Sequence, residues 1–270
     1  MDLNLKGKKA IVTGGSLEIG KAIAKQLSFE GVDVIISSRN LNNLESAAKD
    51  ITLETGGKVI PIVVDTGDQD SVTSMIEQAI SKLNRIDILV NCAAERSSRS
   101  VTSDLDDLTE DQFWLDMNVK VMGYLRCART VAPYMKQNGW GRIINISGLN
   151  ARQSGSTIGS MRNVSVVAMT KNLAEQLGPY GINSTVIHPG ATRTERTFDS
   201  LTNQAVSLGI SFAEAEELMA KANSVKTIID ANDIAYIAAF LASPKSIAIN
   251  GDVIAAGGGT SKDIHYLLRE

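Results

Sequence analysis

Cysteine is scarce in this 270-residue chain. The two present, Cys92 and Cys127, stand in no metal-like spacing, which excludes a cysteine-built metal site and suits a reduced, cytoplasmic setting. No apolar run approaches the roughly 20 residues that a membrane span needs. The opening Met1-Asp2-Leu3-Asn4-Leu5-Lys6 lacks the apolar core of a secretory signal. Positive charge is short as well: 27 Lys and Arg face 30 Asp and Glu, a net charge of −3, with no basic block to track a phosphate backbone or anionic lipids. Nucleic acid and membranes are therefore set aside as partners. A linker and an internal repeat are also missing, so one domain is expected, and 43% hydrophobic residues can build one large core.

What the chain has is alternation. Short β-branched stretches at 9–13, 33–37, 59–63, 86–90, 142–146, 182–187 and 252–255 read as strands buried on both faces. Between them lie helical periodicities at 21–29, 42–55, 71–83, 111–136, 164–177 and 231–241. Strand followed by helix throughout predicts a doubly wound α/β fold with a seven-stranded parallel sheet. Residues 191–229 break the rhythm: no strand is expected there, only a short amphipathic helix at 212–222, opened by Ser211 with Glu214 at capping-box spacing. An excursion at the carboxyl end of a late strand is a candidate lid over a ligand crevice, or equally a cover for core.

The first strand runs into Thr13-Gly14-Gly15-Ser16-Leu17-Glu18-Ile19-Gly20 and then a helix, where backbone N–H groups can meet a pyrophosphate. Here the chain resembles the short-chain dehydrogenase/reductase family, whose Rossmann turn reads T-G-x-x-x-G-x-G. Gly14, Ser16, Ile19 and Gly20 become cofactor-binding candidates. Glu18 stands where the family has its middle glycine, adding bulk and negative charge beside the phosphates. Weak cofactor binding is expected from that change.

The resemblance extends along the chain. Ser37-Ser38-Arg39 ends the second strand, where the family places an acid for NAD or a base for NADP, so Arg39 implies NADP unless it is an ordinary solvated arginine. Asp65 and Thr66 are similar to the adenine-contacting pair. Asn91-Cys92-Ala93-Ala94 resembles N-N-A-G, with Asn91 and Ala93 at the ribose. Cys92 reads as a packed thiol rather than a nucleophile. Asn118 matches the active-site asparagine. Pro189, Gly190 and Thr194 belong to a P-G-x-x-x-T loop that in the family holds the nicotinamide amide. His188, just before it, reads as structural.

The family's catalytic serine, tyrosine and lysine are where the pattern breaks. A gapless count places Gly159 at the tyrosine and Asn163 at the lysine of Y-x-x-x-K. No tyrosine occurs between Tyr134 and Tyr180, and no lysine between Lys136 and Lys171. Ser147 fits the serine by spacing, whereas I-S-S matching would put Gly148 there. Gly159, Arg162 and Asn163, at i, i+3 and i+4, share one helix face. Arg162 and Asn163 are thus candidate catalytic groups beside Asn118 and Ser147, or Arg162 is a cap or pairs on an oligomer face.

Three functions compete on this reading. One is an NADP(H)-linked oxidoreductase of a small carbonyl or alcohol substrate with an impaired site. The others are a non-redox lyase or hydrolase reusing the crevice, and a binding subunit without turnover. The resemblance also implies a homotetramer or dimer built on the helices at 111–136 and 164–177, with Val166, Val167, Ala168 and Met169 as apolar contact residues.

Overall fold

The computed structural model describes residues 1–95 and 105–260. Its strands are β1 (Lys9–Thr13), β2 (Asp33–Ser38), β3 (Val59–Val63), β4 (Ile88–Asn91), β5 (Gly141–Ile146), β6 (Ile182–Pro189), β7 (Thr192–Arg193), β8 (Ile229–Asp230) and β9 (Val253–Ala256). Seven of them form one parallel sheet in the order β3-β2-β1-β4-β5-β6-β9. That is the doubly wound sheet the alternation predicts. Its central strands carry Ile11, Val12, Leu89, Val90, Ile143 and Ile187 at zero exposure, since helices cover both faces.

The helices are α1 (Glu18–Phe29), α2 (Leu41–Thr55), α3 (Gln69–Leu83), α4 (Glu110–Asp116), α5 (Gly123–Asn138), α6 (Thr157–Leu177), α7 (Glu195–Leu208), α8 (Phe212–Lys221) and α9 (Ala231–Ala242). On one face α1, α2 and α9 pack Ile23, Leu27, Leu44, Ile51, Ile234 and Ala238 against the sheet. On the other, α3 and α5 contribute Met75, Ile76, Cys127 and Val131, joined by Leu177 of α6. Among the described residues no helix is long and apolar enough to cross a membrane.

Three expectations need correction. The helix expected at 111–136 is broken: α4 passes into a π-helical stretch, Met117–Met122, before α5. The periodicity of 3.6 hides one wide turn, a feature that often marks a functional site. Helix α6 starts well before residue 164, because the Ser156 hydroxyl accepts the Gly159 N–H and caps it. The excursion at 191–229 does contain strand: Thr192↔Ile229 and Arg193↔Asp230 pair in parallel, and α7 precedes the anticipated α8. Leu201, Ala205, Ala215 and Ile228 give this unit a small core of its own.

Side-chain hydrogen bonds lock the site-bearing elements together. Asn91 of β4 donates from Nδ2 to Asn145 Oδ1 of β5 at 2.9 Å, and Asn145 donates to Thr170 Oγ1 of α6 at 2.8 Å. All three residues are fully buried. Replacing Asn145 by Leu strands a buried amide and unhooks α6, so a loss of about 2–3 kcal/mol is expected in urea unfolding. A loss under about 0.5 kcal/mol would show that packing alone holds α6 in place.

Candidate functional site

A crevice of about 820 Å3 opens at the carboxyl ends of β1, β4, β5 and β6. The sheet order makes it: β2 and β4 flank β1 on opposite sides, so the connections after β1 and β4 diverge there. At one end the turn after β1 forms the floor. Gly14 and Gly15 donate their N–H groups to the Ser37 carbonyl. The Thr13 hydroxyl accepts the Cys92 N–H at 3.2 Å and the Ala93 N–H at 3.4 Å, holding the two loops edge to edge. A Cβ on Gly14 would meet the Cys92 and Ala93 backbone at 2.9 Å, and one on Gly20 would strike the Gly14 carbonyl. These glycines are required by close backbone approach.

Gly14, Ser16, Ile19 and Gly20 all line this end, as expected. Glu18 lines it too, at φ 52°. The backbone there is left-handed, so the position retains the conformation that suits glycine while bearing a carboxylate. The glycine cradle fits a dinucleotide, and Glu18 adds a carboxylate to the same turn.

Arg39 lines the crevice beside Ser38, and its guanidinium pairs with Glu95 at 3.1 Å. Asp65 and Thr66 line the next stretch. Asp65 also accepts the Gly67 N–H, while the Thr66 hydroxyl donates to the Val119 carbonyl. Ala93 reaches the crevice; Asn91 does not, being held in the sheet by Asn145. Pro189, Gly190 and Thr194 form the far wall.

The catalytic candidates divide. Ser147 and Asn163 face the crevice together, with the Ser147 hydroxyl donating to the Asn163 carbonyl at 3.1 Å. Gly148 lines it as well, and its N–H donates to His188 Nδ1 at 3.3 Å. Asn118 points away: its amide donates to the Gly67 carbonyl and accepts from Arg126 at 2.7 Å, anchoring the β3 loop. Gly159 sits against Ser156 Oγ, which a Cβ would meet at 2.6 Å, and does not line the crevice. Arg162 reaches the wall, but one Nη holds both oxygens of the buried Asp116 at 2.7 and 2.6 Å. It thus pairs inside its own chain. Of the apolar contact residues expected on α6, Val166 is fully buried and packs inward. Val167 and Met169 are half-buried and Ala168 is exposed, and the large exposed apolar side chains on α4 and α6 are Trp114, Leu115, Met161 and Val164.

One group was missed. Lys120, in the π-helical stretch, is 2% exposed and lines the crevice. Its ammonium donates to the Ser147 carbonyl at 3.1 Å and to Asn163 Oδ1 at 3.2 Å. A lysine placed at 163 would push a second ammonium onto it. His188, beneath Gly148 and 1% exposed, is pushed down to about 4 by burial, with the cations Arg152 and Lys120 adding to the effect. It stays neutral, its Nδ1 free of a proton to accept from Gly148. Cys127 is pushed up to about 12 by burial and is inert packing.

The family model described as enoyl-(acyl carrier protein) reductase matches residues 16–261. The chain belongs to the short-chain dehydrogenase/reductase family. It is 32% identical over 260 residues to the NADPH-dependent reductase BacG of Bacillus subtilis, covering 95% of this chain and 99% of that one. It is also 32% identical over 254 residues to the short-chain reductase protein NovJ of Streptomyces niveus, covering 93% and 92%. Among solved structures, YwfH, an NADPH-dependent reductase involved in bacilysin biosynthesis, superposes with a TM-score of 0.85 at 31% identity, covering 95% and 99%. L-Sorbose reductase of Gluconobacter frateurii, at 24% identity, shares the fold, with a TM-score of 0.91 over 98% of this chain.

Two outcomes follow from the site's geometry. Glu18→Gly relieves a left-handed non-glycine residue and should raise the unfolding free energy by about 1 kcal/mol, read from urea midpoints. No gain would mean that local contacts of Glu18 offset its strain. For His188 the folded value near 4 lies below the unfolded value near 6.5, so the unfolded chain binds more protons between them. Stability should therefore fall as pH drops from 6.5 towards 4, by up to roughly 3 kcal/mol. The slope should flatten in His188→Asn, and an unchanged slope would assign it to other groups.

Proposed function

We propose that the protein is an NADPH-linked reductase of a small carbonyl compound. The observation that carries this reading is the crevice itself: a glycine-walled turn, a basic residue at the end of β2 and the loop at 189–194 line one continuous groove. Relatives named as NADPH-dependent reductases support it. Gly14, Ser16, Ile19 and Gly20 would receive the pyrophosphate, Asp65, Thr66 and Ala93 the adenosine half, and Pro189, Gly190 and Thr194 the nicotinamide amide. Arg39, shared with Glu95, would meet the 2′-phosphate. When bound, the dihydronicotinamide supplies a hydride.

The chain's own groups then handle the oxygen. Ser147 can turn its hydroxyl from the Asn163 carbonyl towards a substrate carbonyl, and Asn163 orders the polar wall. The unit at 191–229 acts as the lid: Thr192, Arg196, Thr197, Ser200 and Met219 already line the crevice. A non-redox reaction on an anionic ligand would need Arg162, and the Asp116 carboxylate holds that cation. The exposed Trp114, Leu115, Met161 and Val164 support a homodimer or tetramer through α4 and α6. Neither Cys92 nor Cys127 forms a disulfide among the described residues, which supports a reducing, cytoplasmic setting.

Calorimetry tests the cofactor half of this reading. NADPH should bind more tightly than NADH, Arg39→Ala should erase most of that preference, and Glu18→Gly should tighten NADPH by about tenfold, the worth of roughly 1.4 kcal/mol. Failure of NADPH to bind, or equal affinity for both nucleotides, would sink the assignment.

A further inference from the structure

Carbonyl reduction needs a proton as well as a hydride, and the proton-donating tyrosine has no counterpart in this site. Gly159 carries no side chain and faces Ser156, and the Tyr124 hydroxyl is turned to the Ile146 carbonyl at 2.9 Å, outside the crevice. Among the described crevice-lining residues, the Lys and Arg side chains are Arg39, Lys120, Arg162 and Arg196. A guanidinium does not give up its proton in a protein. An ammonium can.

We propose that Lys120 is the proton donor of this site, carried in from the π-helical turn to the place left by the absent tyrosine and lysine. The inference rests on the reductase reading. Its geometry is particular: the ammonium is buried, it lines the crevice, and two carbonyl-type oxygens hold it beside Ser147. Asn163 is what allows this. A lysine there would repel Lys120, whereas the amide offers Oδ1 as an acceptor and so stabilises an otherwise costly buried charge. The wide turn at Met117–Met122 places Asn118 towards Gly67 and Lys120 towards Asn163, so one stretch both anchors the loop and arms the crevice.

The step balances. Hydride from the dihydronicotinamide forms a C–H bond at the carbonyl carbon, and the C=O π pair moves to oxygen. An N–H bond of Lys120 breaks as the O–H bond forms, leaving an alcohol, oxidised nicotinamide and a neutral amine that regains its proton from solvent. Among the described residues, the groups near Lys120 include His188 of β6, which both Lys120 and Arg152 influence, the Tyr124 ring of α5 at 5.9 Å, and Arg162 of α6, which lines the same crevice paired with Asp116. His188 remains neutral above about pH 4, so it contributes no competing limb near neutrality.

A fixed ammonium near the nicotinamide pocket also has a signature independent of turnover. The oxidised ring is cationic and the reduced ring neutral, so Lys120 disfavours NADP+ relative to NADPH. Calorimetry on the full-length protein should show that Lys120→Met narrows the NADPH-over-NADP+ preference by about fivefold, while Lys120→Arg keeps it. Reduction of diacetyl, cyclohexanone and ethyl acetoacetate should fall at least a hundredfold in both variants, the scale expected for loss of a positioned acid. Wild-type kcat should decline at high pH, and that decline should vanish in Lys120→Met. Unchanged NADPH affinity and thermal midpoint in Lys120→Arg exclude a folding defect. Variants that reduce ketones within threefold of wild type, or a nucleotide preference unmoved in Lys120→Met, overturn the proposal. Wild-type protein that neither binds NADPH nor reduces any of the three ketones overturns the reductase reading itself, and the proton donor with it.

Discussion

Everything functional in this molecule depends on the divergence of two connections at the carboxyl edge of β1 and β4. Strand β1 lies between β2 and β4, and the helices that follow leave on opposite faces of the sheet. No side chain has to carve the crevice, because the backbone leaves it open. Gly14 and Gly20 are tied to that constraint, since their missing Cβ atoms let the β1 turn lie against Ala93 and against itself. Glu18 shows the same pressure from the other side: the turn keeps its left-handed backbone even where the residue is not glycine.

A second theme is the handling of buried charge. Arg162 and Lys120 both reach the crevice wall, but they are balanced differently. Arg162 is neutralised by Asp116, a buried pair whose disruption would leave an isolated charge. Lys120 is solvated by dipoles, the Ser147 carbonyl and the Asn163 amide. The first arrangement fixes α4 to α6. The second leaves an ammonium on the crevice wall beside Ser147 and Asn163. Arg142, also buried, belongs to neither: it donates to the Ser243 and Gly141 carbonyls and stacks on Trp140, tying the start of β5 to the end of α9.

The family and the sheet were legible because they rest on local pattern. Short β-branched runs between helical periods specify a parallel sheet whatever the rest of the chain does. The glycine turn and the loop at 189–194 read directly onto the crevice because each acts through its own backbone. Asn118 and Asn91 read less well. A motif match names a residue without saying which way its side chain points, and tertiary partners, Arg126 and Gly67 for one and Asn145 for the other, turn both away from the crevice.

Sequence alone determined the strand-helix alternation, the turn where the backbone approaches closely, and the absence of tyrosine and lysine from the stretch that precedes Lys171. Only the tertiary structure brings Lys120 beside Asn163. A search for the missing lysine along residues 136–171 could not reach Lys120, which is distant in the chain and reads there as one more helical lysine among Met117, Val119, Val121 and Met122. The wide π turn rotates it inward, and the packing of that turn against α6 sets its ammonium on Asn163. Spacing placed Arg162 and Asn163 on one helix face, but which distant element a side chain meets is a property of packing that linear spacing does not show.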